Sequence, residues 1–260
     1  MLTHPHDPKS DPPTLGRDAP LQPEEVSLLW SFIHGDIMIG GIREHLRRAL
    51  GLCPRHTWGY FVTEVELWLY GPAPRGGHIP FDVGILYQDL LADAITKISS
   101  AHATSRRGLR APLTPKASCR ICADLAIPSQ TMPLGYAGSN AEELAAEAGE
   151  LTYTTAWLLR TEDAWRERVC PQCAAPQVQD HLTTPALLCR PHLALLESVT
   201  PEDAQAIASR LDEMRRRLYR SVASMTQGAE PATVDEDAAV VETLGWFAGW
   251  QFPLALTTPV

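Results

Sequence analysis

The sequence predicts a mostly α-helical protein with two zinc-knuckle-like Cys3His metal sites and little β-structure. Three observations carry that prediction. Apolar residues recur at intervals of three and four along most of the 260 residues, which is the helical period. Strict apolar–polar alternation, the mark of a half-buried strand, is scarce. Every one of the six cysteines stands three positions from a second cysteine or a histidine.

The chain reads as a flexible N-terminal tail (1–22), an N-terminal helical region with the first metal site (23–135) and a C-terminal helical region with the second (136–260). From Pro23 the pattern is helical, with Val26, Leu29, Trp30 and Ile33 on one stripe and Glu24 and Glu25 in the first turn, where the helix dipole favours acids. After Gly40-Gly41, Ile42, Leu46 and Leu50 mark a second helix that stops at Gly51. Trp58, Phe61, Val62, Val65 and Leu69 mark a third, and the run from Phe81 to Ile98 a fourth, ending near Ser99-Ser100. Residues 102–118 are basic, without periodicity, and read as a solvated linker.

A helix starts near Asn140 and another covers Thr152 to Trp165. Thr200, Pro201 and Asp203 form a helix-start signal ahead of the stripe Ile207, Leu211, Met214, Leu218, Val222 and Met225. An acidic linker, Glu230 to Asp237, precedes a last helix from Ala238 to Trp250, which Pro253 closes. Short hairpins at the ligand pairs are the expected β content.

The ligand pairs are Cys53/His56, Cys119/Cys122, Cys170/Cys173 and Cys189/His192. Eight ligands and no leftover cysteine make two tetrahedral sites, the arrangement structural zinc prefers. Two intervening residues let one tight turn aim both side chains at one ion. Thiolate-rich ligation favours zinc or iron–sulfur over magnesium or calcium. Fifteen residues separate Cys173 from Cys189, at the lower edge of the zinc-knuckle window, so Cys170, Cys173, Cys189 and His192 form the stronger set. The other set spans sixty-two residues between His56 and Cys119. Pairing neighbours in order avoids threading. Cys119/Cys122 with Cys170/Cys173, leaving the two Cys-x-x-His pairs together, and a crossed pairing are alternatives. With every coordination place taken by protein, the expected role of two zinc ions per chain is structural, since a catalytic zinc keeps one place open.

"GLCPRHTW" at residues 51–58, and more loosely Cys119/Cys122, resemble elements of the uncharacterised bacterial DUF6062-type proteins. In those, Cys-x-x-Cys pairs precede helical segments and a Gly-[Leu/Phe]-Cys-x-x-His-x-Trp element. The resemblance implies a bacterial source and brings no activity. The chain departs from the pattern in holding no cysteine between residues 23 and 50. Either the first module lost its own pair or it borrows Cys119/Cys122.

The functional classes follow. A net charge of -9 disfavours nucleic acid as a partner, despite Arg106, Arg107, Arg110 and Lys116. No apolar run is long enough to span a membrane. The first twenty residues carry five prolines and no apolar core, unlike a signal peptide, so the expected location is cytoplasmic. In a reducing compartment, paired cysteines favour metal over disulfides. The first reading is a regulatory or protein-interaction module that binds a protein partner or itself. The alternatives are an enzyme with a pocket near His34, Asp36, Arg75 and His78, and a thiol or metal redox sensor. Arg215, Arg216, Arg217 and Arg220 read as a solvated helix face. Trp246 and Trp250 read as core, or as an anchor for a partner.

Overall fold

The computed structural model describes residues 15–33, 35–67, 79–104, 109–127, 140–175 and 184–258. Its helices are α1 (Pro23–Ile33), α2 (Gly40–Ala49), α3 (Pro54–Leu67), α4 (Phe81–Thr104), α5 (Arg110–Leu113), α6 (Arg120–Leu125), α7 (Ala141–Glu150), α8 (Thr152–Arg160), α9 (Glu162–Arg166), α10 (Pro171–Ala174), α11 (Arg190–Leu193), α12 (Pro201–Ser224), α13 (Val234–Ala248) and α14 (Gln251–Thr257). Among the described residues there is no strand, only an isolated bridge between Gly16 and Ala19. The helical prediction therefore holds.

The helix at the centre is α3, buried from Arg55 to Leu67. It packs against α1, α4, α7, α8 and α13. A helix apolar all round belongs in a core, yet α3 carries two glutamates, Glu64 and Glu66, both buried. Each closes the start of another helix. Glu64 accepts from the backbone N–H groups of Asp82 and Val83 at 2.7 and 2.9 Å, opening α4. Glu66 accepts from those of Tyr153 and Thr154 at 3.3 and 2.7 Å, opening α8. Orphan helix N–H groups must find acceptors, and here a central helix supplies them. Burial pushes the Glu64 carboxyl well above its ordinary range, with the Asp82 charge adding to it.

Around this centre lie the long helices α4, α12 and α13, and one apolar core takes in residues from both halves of the chain. Gly84 on α4 lets α12 approach, because a Cβ there would stand 2.5 Å from a Val222 methyl. The turn after α2 is a Schellman-type end: Gly51 N–H bonds the Leu46 carbonyl at 2.9 Å, with Leu50 and Gly51 at φ 54 and 91. It delivers the chain to Cys53.

Several expectations shift. The ligand pairs form helix starts, not hairpins. Proline lies in the first turn of α3, α10 and α11, and its fixed φ suits that place. The fourth helix runs on to Thr104. Within the supposed linker, Leu109 and Leu113 are buried. In the supposed tail, Leu15 and Leu21 are buried too. The acidic linker is largely the first turn of α13, closed by a Thr233–Glu236 capping box. Pro253 lies in the first turn of α14 and ends nothing. Trp246 and Trp250 are core, Trp250 stacked on Trp165 at 5.9 Å. Of the arginine face, Arg217 is buried against Glu242 at 2.5 Å, while Arg215, Arg216 and Arg220 pair with Asp212 and Glu236.

Replacing Gly84 by Val forces a β-branched side chain, stiff in a helix, against Val222. The expected cost is about 1–3 kcal/mol of stability, measured by urea unfolding.

Candidate metal centres

All four ligand pairs have the same local build. The first cysteine precedes a helix and its carbonyl accepts a helical N–H: Thr57 to Cys53, Ala123 to Cys119, Ala174 to Cys170 and Leu193 to Cys189, at 2.8–3.0 Å. The second ligand falls three residues later, within the first turn. That turn puts both side chains on one side of the helix mouth. It also sets sulfur at the positive end of the helix, which favours thiolate.

The structure brings the pairs together as neighbours in order. Cys53, His56, Cys119 and Cys122 form one cluster, and Cys170, Cys173, Cys189 and His192 the other. In each, the four ligand atoms lie within 4.8 Å of one another. In the first, His56 Nδ1 stands 3.2, 3.5 and 3.3 Å from the sulfurs of Cys53, Cys119 and Cys122, and Cys53 Sγ is 3.8 Å from Cys122 Sγ. In the second, His192 Nδ1 stands 3.4, 3.6 and 3.1 Å from Cys170, Cys173 and Cys189, and Cys173 Sγ is 3.8 Å from Cys189 Sγ.

Those lengths discriminate between chemistries. Disulfide sulfurs stand about 2.05 Å apart, so all six cysteines are free. Two thiolates about 2.3 Å from one tetrahedral zinc stand about 3.8 Å apart, and a thiolate and an imidazole nitrogen about 3.5 Å. The clusters have tetrahedron-sized edges, and the donor set fits a thiophilic divalent ion.

Around the first cluster lies a second layer. His56 is buried, and its Nε2 faces Glu25 Oε1 at 2.9 Å. Glu25 takes two further bonds from Arg55, Nε to Oε1 at 2.6 Å and Nη2 to Oε2 at 2.7 Å, and one from the Gln22 N–H at 2.8 Å. Burial raises the Glu25 carboxyl, but the bonds from Arg55, His56 and Gln22 win and hold it down at about 2. The ionised carboxylate fixes the imidazole so that Nδ1 faces the sulfurs, the carboxylate–histidine arrangement of metal sites. Arg55 also bonds the carbonyls of Ala19 and Pro20 at 3.0 and 2.7 Å, which docks residues 15–22 on the site.

The second cluster is set differently. Arg190, between Cys189 and His192, is buried and donates to the carbonyls of Phe247 and Leu113 at 3.0 and 3.2 Å. It meets no carboxylate among the described residues. Burial lowers its pKa, and the Cys189 charge acts against that.

Within each cluster the thiols compete for charge, and one is favoured as thiolate over its neighbours. Burial opposes a charged His56, yet Cys119, Cys122 and Glu25 push its pKa up to about 11. Hydrogen bonds from Cys122 and Cys53 hold the Cys119 thiol well below its ordinary range, while the same crowding pushes Cys53 up. Cys173 and Cys189 likewise hold Cys170 down, and Cys189 is pushed up.

A cavity of about 330 Å³ lies between the clusters, touched by Cys53 of one and by Cys173, Cys189 and His192 of the other. Trp58, Phe252 and Gln251 line it as well. Sequence reasoning did not find Glu25, Arg55 or Arg190. Of the other expected pocket, His34, Arg75 and His78 lie outside the described residues, as does the Asp36 side chain. Arg106 and Arg107 lie outside them too.

No protein-family model, curated protein or solved structure matches the chain.

Replacing Glu25 by Gln keeps the shape and removes the charge behind His56. Zinc affinity at the first centre is expected to fall by about 10–100-fold with the second unchanged, as measured by competition with a chromogenic chelator.

Proposed function

We propose that this chain is a zinc-stapled helical protein acting as a regulatory or protein-interaction module, with two structural zinc ions. The observation that carries the reading is that three sulfurs and one nitrogen complete each tetrahedron. No place is left for a water or substrate, so the ion acts as a staple. The first centre ties the start of α3 to α6, and the second ties α10 to α11. Metal-binding free energy then becomes folding free energy.

Support for an interaction role comes from where apolar side chains face solvent. Leu125 ends the first centre's α6 and Ile127 follows it, and Leu187 and Leu195 flank the second centre's α11; all four are exposed. The staples thus hold segments that present apolar residues on an acidic chain, and a partner's apolar face would cover them. Among the described residues no helix is long and apolar enough to cross a membrane. The resemblance to the DUF6062-type bacterial proteins supplies no activity, so the reading rests on the ligand geometry.

Elemental analysis of the native protein tests the metal, with two zinc atoms per chain expected. Iron, or no metal, would refute it. Cobalt replacement tests the role. Saturated Cys3His sites give a tetrahedral cobalt spectrum that added azide leaves unchanged, and a spectrum that azide alters would mean an open, catalytic coordination place.

A further inference from the structure

The two centres share a ligand set and differ in setting. All three cysteines of the first are partly exposed, whereas in the second Cys170 and Cys189 are buried and only Cys173 is comparably open. Their charge surroundings differ as well. A divalent ion with three thiolates carries one net negative charge. At the first centre, Glu25 and Arg55 cancel each other, as do Arg120 and Asp124 nearby, so the negative charge stays uncompensated. At the second centre, buried Arg190 stands beside Cys189 with carbonyl partners only, and its positive charge compensates the centre. A sulfur pair 3.8 Å apart occurs in both, so proximity does not separate them. The shared cavity is lined by cysteines of both, so it does not separate them either. Exposure and charge do.

We propose that the first centre is an oxidative modification site, at which hydrogen peroxide converts Cys53 and Cys122 to a disulfide while the second centre stays intact. The thiolate of Cys53, a residue that lines the cavity, attacks the peroxide O–O bond and becomes a sulfenic acid, and the departing hydroxide takes a proton to leave as water. The Cys122 thiolate then attacks that sulfur, and the second hydroxide leaves as water with a second proton. The two thiolates lose two electrons, which the O–O bond gains. His56 and Cys119 remain as the only ligands, too few to retain the ion. α6 is then no longer tied through zinc to the start of α3.

The inference rests on the zinc reading, and one experiment separates the two. Full-length protein shown by elemental analysis to carry two zinc atoms is treated with hydrogen peroxide. Zinc release is followed with a chromogenic chelator, and disulfides are mapped by peptide mass spectrometry. Absence of zinc at the start refutes the reading itself. With two zinc atoms present, one is expected to leave about tenfold or more faster than the other, given one unit of charge at close range. Its loss should coincide with a Cys53–Cys122 disulfide, with Cys170, Cys173 and Cys189 still reduced. Release of both ions in one phase, or a Cys173–Cys189 disulfide formed first, overturns the inference and leaves the zinc reading standing. Replacing Arg190 by Gln is expected to bring the slow phase toward the fast one, and an unchanged slow phase in a folded variant contradicts the charge argument.

Discussion

The mouth of a helix is the constraint on which the structure rests. Four times, a cysteine sits just before a helix and a second ligand falls in the first turn. One turn of helix separates their Cα atoms along the axis, and both side chains lean the same way. The helix end also offers its positive pole to the sulfurs. Two such mouths facing each other make a tetrahedron. The local build thus needs little tertiary help; the fold has only to bring the mouths together. At the first centre this takes the long route through α4, and at the second a short one.

α3 shows how site and fold are joined. Its start carries Cys53 and His56, and its far end carries Glu64 and Glu66. One end carries the first ligand cluster with its second layer of Glu25 and Arg55, while the other closes α4 and α8. Both ends use buried charge or polarity, which is expensive unless satisfied. The carboxylates are satisfied: Glu25 has three donor groups, and Glu64 and Glu66 each accept from backbone N–H groups. A helix so committed has little freedom to shift, which suits a scaffold more than a moving part.

The ligand pairs were legible in the sequence because their chemistry is local: a spacing of three and a count with no remainder. Their pairing followed from that count and from chain order. Helix periods were legible for the same reason. What tertiary contact decides was not legible. Glu25 reads as a dipole-complementing acid until His56, thirty-one positions on, is seen to face it. Glu64 and Glu66 interrupt an apolar run, and that anomaly was the one available signal that α3 serves as a cap for other helices. Arg55 and Arg190 each stand inside a Cys-x-x-His, where nothing local tells a solvated arginine from a buried one. The hairpins expected at the knuckles gave way to helix starts, and the prolines inside them were the signal. Leu109 and Leu113 looked like linker because two residues cannot display a period.

Zinc-edge X-ray absorption on the native protein tests the central claim most directly, because it counts ligands around the ion. The account predicts an average shell of three sulfurs at about 2.3 Å and one nitrogen at about 2.0 Å, with no neighbouring metal, for both centres together. A shell containing oxygen, or four sulfurs, or a second metal in close range, would contradict it.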